Sequence, residues 1–202
     1  MRALTATRAL LAAVLFSITA SAGSQAIAGE IHEAAARGDL ETVKMLIAGD
    51  GTLLDERDEQ ERTPLHWACR GVHPEVARYL VEAGADVNAA DVNLIMPLHS
   101  VSSRGHTEVA ALLIDNKATL DSPDYEEQTA LHYAARDGHS ETTALLIRKG
   151  ANIEARNSRE RTPLLLAARE SGDQETARVL IEAGADLNAT DRSGATSLAL
   201  AA

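Results

Sequence analysis

Seven histidines are the residues best suited to chemistry in this chain of 202. An imidazole ligates metals and moves protons near neutral pH. Six of them form two columns. His66, His99 and His132 recur 33 residues apart, and His73, His106 and His139 each stand seven residues further on. A repeated histidine suggests a metal array, and a metal- or small-molecule-binding sensor built on these columns is the rival reading. A metal or proton-transfer site needs ligands that converge, however. These histidines come as single copies with no acid or thiolate clustered beside them, and the next copy replaces both, with Leu165 and Asp173. The lone Cys69 falls where later copies carry Ala135 and Ala168, so it reads as a buried small residue and not a nucleophile. There is no Gly-rich phosphate loop, no H-E-x-x-H and no G-x-S-x-G. The expectation is therefore no catalytic residue, no metal and no cofactor.

The elements that must position these side chains are themselves copies. "TPLH" begins at Thr63, "MPLH" at Met96, "TALH" at Thr129 and "TPLL" at Thr162, each 33 residues after the last. "TSL" follows at Thr196 after one extra residue near Ser171, and "IHEAAARGD" (31–39) fits the same frame upstream. The ends agree as well: "EAGADVNAAD", "RKGANIEARN" and "EAGADLNATD". Thr63 suits an N-cap, and Pro64 suits the first helical position, where its missing N–H would be unpaired anyway. The spacing predicts a short helix to about Arg70. A second helix starts near Pro74, with Val76, Leu80 and Val81 on its apolar face and Gly84 as its terminator. Residues 85–95 are polar and read as a hairpin-like finger. Helices of about eight to ten residues fall below the roughly 12–15 that persist alone in water. Stability must come from stacking, with Leu65, Leu98, Leu131 and Leu164 in one column and Leu80, Leu113, Leu146 and Leu180 in another.

This pattern, T-P-L-H-x-A-A-x-x-G-H followed by L-(L/I)-x-x-G-A-(D/N), resembles the ankyrin repeat. The resemblance covers residues 29–202 as units of about 29–57, 58–90, 91–123, 124–156 and 157–190, with a partial sixth over 191–202. It implies an all-α solenoid of about five repeats plus that fraction, made of stacked helix pairs with short fingers. It also implies architectural roles for Thr63, Pro64, His66, His99, Thr129, His132, Thr162 and Pro163. In this family the first histidine bonds the threonine hydroxyl and the backbone of the adjoining repeat. The implied function is non-catalytic binding of another protein through the concave face and the finger tips.

Two surface features are candidate docks. Arg37, Arg70, Arg104, Arg136 and Arg169 recur at the end of the first helix of every full repeat. They form either a basic stripe for an acidic partner or a set of pairs with finger acids such as Asp58, Asp91 and Asp124. The third finger, "DVNLIMP" (91–97), puts Leu94 and Ile95 where other fingers carry charge, and Tyr125 follows on the next finger. Clustered exposed apolars mark interfaces; the alternative is packing between fingers. Val101 is oversized for its helix position, which predicts looser packing there. The partial sixth unit is either a cap or an end covered by a partner.

Residues 1–28 read as a leader. Arg2 and Arg8 precede the apolar run "ALLAAVLFSI" (9–18), and small residues at Ala22 and Ala28 offer cleavage sites, of which Ala28 fits better. The run is short against the roughly 20 residues of a membrane span. The expectation is an exported bacterial protein, periplasmic or secreted, with a secreted effector as the variant reading. The formal net charge is −11, and removing two arginines with the leader makes the rest more acidic still. Such a surface repels phosphate backbones, which disfavours nucleic acid. A monomer without membrane contact after leader removal is expected.

Overall fold

The computed structural model describes residues 29–171 and 173–200; the leader expected over 1–28 lies outside them. Helices follow one another in pairs. They are α1 (29–37) and α2 (Leu40–Gly49), α3 (Pro64–Gly71) and α4 (Pro74–Glu82), α5 (Pro97–Arg104) and α6 (Thr107–Asp115), α7 (Ala130–Arg136) and α8 (Ser140–Arg148), α9 (Pro163–Leu166) and α10 (Gln174–Glu182), then α11 (Ser197–Leu200). A 3₁₀ turn, Gly51–Asp55, follows α2. The described residues contain no strand, only an isolated bridge between Thr190 and Thr196. This is an ankyrin-type solenoid.

The threonine frame starts each inner helix. Thr63, Thr129 and Thr162 hold the extended N-cap conformation, and Met96 does the same in the third copy. Proline follows in three of the four. Inner helices pack on inner ones, α3 on α5, α5 on α7 and α7 on α9, while α2, α4, α6, α8 and α10 form the outer row. Both leucine columns are sealed: Leu65, Leu98, Leu131 and Leu164 are at most 2% exposed, and Leu80, Leu113, Leu146 and Leu180 are fully buried. Burying a leucine contributes about 1.5–3 kcal/mol, so the eight outweigh what any single short helix can supply. Val101 is also fully buried, so its bulk is accommodated inside the stack. Its neighbour Ser102 is equally buried, with a hydroxyl that finds no partner among the described residues.

The extra residue of the fifth copy has a structural home. After α9 the backbone widens into a π turn, Ala167–Ser171. A single inserted residue turns an i→i+4 ladder into i→i+5 locally. The helix therefore absorbs the insertion, and α10 packs against α8 as the outer helices before it pack on one another. Beyond it, α9, α10 and α11 line an apolar groove of about 540 Å³, where Ile181 and Leu187 are exposed.

Candidate functional site

The first histidine column is spent on architecture. His66 is buried, accepts the Thr63 N–H at Nδ1 (3.1 Å) and donates from Nε2 to the Ile95 carbonyl of the next repeat (3.0 Å). The Thr63 hydroxyl lies 3.0 Å from the same Nδ1. His132 repeats this with Thr129 and the Arg161 carbonyl. His99 takes the Met96 N–H at 2.9 Å and donates to the Ser122 carbonyl. His32 reaches the Glu56 carbonyl in the same way. Each ring in the three full copies is thus a neutral Nε2–H tautomer with both nitrogens committed. A metal would have to break these bonds first. Burial pushes all three pKa values below the ordinary histidine range, against the pull of the carbonyl bonds. Among the described residues no group of three His, Cys, Asp or Glu side chains converges to hold a metal. Cys69 is buried, which pushes its thiol pKa up and away from nucleophilic chemistry.

Two histidines of the second column tie their repeats backwards. His73 donates to the Ala36 carbonyl (2.9 Å) and His139 to the Ser103 carbonyl (3.0 Å). Gly38 and Gly105 make room for these rings. Both have positive φ, and an added Cβ would lie 2.4 Å from His73 Nδ1 or 2.6 Å from His139 Nδ1. Before His106 the corresponding residue is Val72, held at φ 66°. His106 Nε2 is buried with no hydrogen-bond partner among the described residues. A valine where its equivalents are glycine thus coincides with the one ring of this column that loses its bond. Asp39 and Asp173 replace the histidine at the first and last of these positions. They cap α2 and α10 by accepting backbone N–H groups of the first turn.

The fingers share one design. Asp58, Asp91, Asp124, Asn157 and Asp191 each accept two backbone N–H groups with Oδ1, from the residues two and four further on. Adjacent tips are laced together: the Val92 N–H reaches the Gln60 carbonyl, Tyr125 that of Asn93, Ser158 that of Glu126 and Arg192 that of Arg159. Finger acids also hold the large inner-helix residues. Trp67 Nε1 donates to Asp58 (2.9 Å) and the Tyr133 hydroxyl to Asp124 (2.6 Å).

This geometry corrects three expectations. The helix-end arginines do not pair with Asp58, Asp91 or Asp124, because those oxygens are taken by finger amides and aromatic donors; the cations near finger acids are Arg62, 3.9 Å from Asp91, and Arg161, 3.3 Å from Asp191. Nor do the five arginines form a single column. Arg70, Arg136 and Arg169 share one helix position, whereas Arg37 and Arg104 sit one residue later, which turns them by about 100°. Arg37 pairs with Glu33, and Arg136 pairs with Asp137 while lying over Tyr133. Arg70, over Trp67, and Arg104 and Arg169 are exposed with no ion pair among the described residues. Leu94 and Tyr125 are exposed on adjacent fingers. Ile95 is half-buried and its carbonyl is used by His66, so it leaves the candidate patch. Val92 joins it, exposed on the same finger as Leu94. Its signal was present in the sequence, in that Val92 aligns with Glu59, Ser158 and Arg192.

Comparison with known proteins agrees with the architecture. A profile of three ankyrin-repeat copies matches residues 30–91 and 89–157, and a single ankyrin repeat matches 159–192. Protein phosphatase 1 regulatory subunit 27 of Mus musculus is 48% identical over 61 residues, 30% of this chain and 39% of that protein. Inversin of Gallus gallus is 45% identical over 65 residues, 32% of this chain and 6% of its own length. The human 26S proteasome non-ATPase regulatory subunit 10 is 41% identical over 54 residues, 27% of this chain and 24% of its own length. The chain therefore spans well under half the length of these curated relatives. The repeat profiles together cover most of the chain, and with the histidine ties and laced fingers they place it in the ankyrin-repeat family, whose units are protein-interaction modules.

Proposed function

We propose that this protein is an exported, monomeric, non-catalytic module that binds a partner protein on its concave face and finger tips. The observation that carries the reading is the fate of its titratable groups. The imidazoles best placed for chemistry are locked into caps and inter-repeat bonds, while arginines and apolar side chains at helix ends and finger tips stay exposed. Arg70, Arg104 and Arg169, without an ion pair among the described residues, offer exposed guanidinium groups to an acidic surface on the partner, and planar guanidinium suits carboxylate recognition. Export to the periplasm or beyond rests on residues 1–28 alone, since the relatives named above come from Mus musculus, Gallus gallus and Homo sapiens.

Two measurements test this. Affinity capture from periplasmic extract and culture medium with residues 29–202 should recover a partner that Arg70→Glu, Arg104→Glu and Arg169→Glu together release. Full retention would remove the arginines from the dock. Intact mass of the chain recovered from the exported fraction should place its first residue at Gly29; an uncleaved chain kept inside the cell would end the export reading.

A further inference from the structure

The third and fourth fingers carry side chains that the fold does not use. Val92 is 55% exposed, Leu94 48% and Tyr125 81%. The bond from the Tyr125 N–H to the Asn93 carbonyl, 3.0 Å, sets the two fingers side by side. At the first tip position the sequence of fingers reads Glu59, Val92, Tyr125, Ser158 and Arg192; at the third it reads Glu61, Leu94, Glu127, Glu160 and Gly194. The backbone bonds of the third finger match those of its polar neighbours, so the apolar side chains add nothing to its construction. Leu94 sits at φ 59°, the left-handed value that Glu61, Glu127 and Glu160 share at the same position, so the conformation belongs to the finger and the apolar side chain alone is particular to this copy. An exposed leucine beside an exposed valine and tyrosine is a cost the isolated protein does not recover.

The flanks say what would cover the patch. Exposed Glu59 and Glu61 lie on one side of the third finger, and exposed Glu126 and Glu127 on the other. Glu59 and Glu127 have no ion pair among the described residues. Among the described residues the ion pairs of Glu61 and Glu126 are long, 3.5 Å to Arg57 and 3.9 Å to Arg159, and Glu126 also accepts from Gln128 Nε2 at 3.4 Å. Arg57 also donates to the carbonyls of Glu61 and Ala90, which holds its charge against the finger backbone. The result is an apolar spot bordered by carboxylates.

We propose that fingers two to four seat a short cationic segment of a partner protein, with an aliphatic or aromatic anchor resting on Val92, Leu94 and Tyr125 and flanking Lys or Arg residues facing Glu59, Glu61 and Glu127. This rests on the protein-binding reading and narrows its finger-tip part to one partner chemistry, of opposite charge preference to the helix-end arginines.

The test pans phage-displayed random peptides on immobilised residues 29–202. Enriched peptides should carry Lys or Arg on either side of a large apolar residue. A synthetic peptide of the enriched sequence should lose about tenfold or more in affinity against Leu94→Gly, as expected for removing a central anchor. It should lose a similar factor against Glu59→Lys with Glu127→Lys, and bind more weakly as salt rises. Leu94→Gly relieves the positive φ, so its melting temperature should not fall, which separates lost binding from lost fold. Enrichment of acidic peptides that depend on Arg70 and Arg104 would overturn this proposal and leave the broader reading intact. Absence of enrichment, or affinity unchanged in both variants, would also overturn it, whereas the partner-capture experiment stands or falls independently.

Discussion

His132 and Arg161, 29 residues apart in the chain, are joined by a 3.0 Å bond from imidazole Nε2 to backbone carbonyl. The same ring takes the Thr129 N–H at the start of its own helix. One side chain therefore closes a helix cap and fastens the next repeat. Truncating it leaves the buried Thr129 amide unpaired, strips one of two donors from the Arg161 carbonyl, which keeps the Asn157 N–H at 3.0 Å, and opens a cavity. His132→Ala should lower unfolding free energy by about 2–4 kcal/mol. Urea unfolding measures this directly, and a loss below about 0.5 kcal/mol would show that the ties are ornamental.

The buried columns also predict how stability depends on acid. His66, His99 and His132 have pKa values lowered by burial, so the unfolded chain binds protons at a higher pH than the folded one does. Their contribution is complete above the unfolded value, near 6.5, and is withdrawn as pH falls toward the folded values. Each ring should remove up to about 1.4 kcal/mol per pH unit in that window. The carboxylates of Asp39, Asp58 and Asp173, lowered by hydrogen bonds, act in the same direction but in a lower, separate window. Melting temperature should therefore start to drop just below pH 6.5 and not wait for the carboxylate range. His132→Gln should flatten the first part of that decline.

Val72 is the clearest local defect. A β-branched residue at φ 66° is a rare conformation, and His106 alone in its column lacks a carbonyl partner. Frame alignment puts that missing partner at the Arg70 carbonyl. Val72→Gly should relieve about 1–2 kcal/mol of left-handed strain. Glycine's extra unfolded-state entropy takes back about 0.5–1 kcal/mol, and a restored bond adds about 1. The expected result is a net gain of about 1–2 kcal/mol together with slower exchange of the His106 Nε2 proton. A variant less stable than the parent would show that the valine packs usefully.

The frame made the architecture legible because each repeat must satisfy the same neighbours. Thr63, His66 and Leu65 recur because a cap, a tie and a core position recur. What the residues did not disclose were displacements of a single position. Arg104 reads as a member of the arginine column until helix register is counted, and Ile95 reads as surface until its carbonyl is seen under His66. Val92 stands out in the sequence only once it is aligned with Glu59, Ser158 and Arg192, and the lacing of the tips shows that its side chain has nowhere to pack. The finger acids illustrate the same limit. Charge suggested ion pairs, whereas geometry gives their oxygens to amides.

That last point makes a sharp prediction about Asp124. Its Oδ1 accepts the Glu126 and Gln128 amides at 2.8 and 2.7 Å, and its Oδ2 takes the Tyr133 hydroxyl. Asn157 performs the two amide bonds in the fifth finger at 2.9 and 3.1 Å without a charge. The oxygen matters, then, more than the ionisation. Asp124→Asn should cost less than about 1 kcal/mol, since the amide nitrogen can donate to the tyrosine oxygen in place of the lost acceptor. Asp124→Ala removes three partners at once and should cost about 2–3 kcal/mol. Paired unfolding curves for the two variants decide the matter: near-equal losses would mean that charge, and not the hydrogen-bond acceptor, holds the finger.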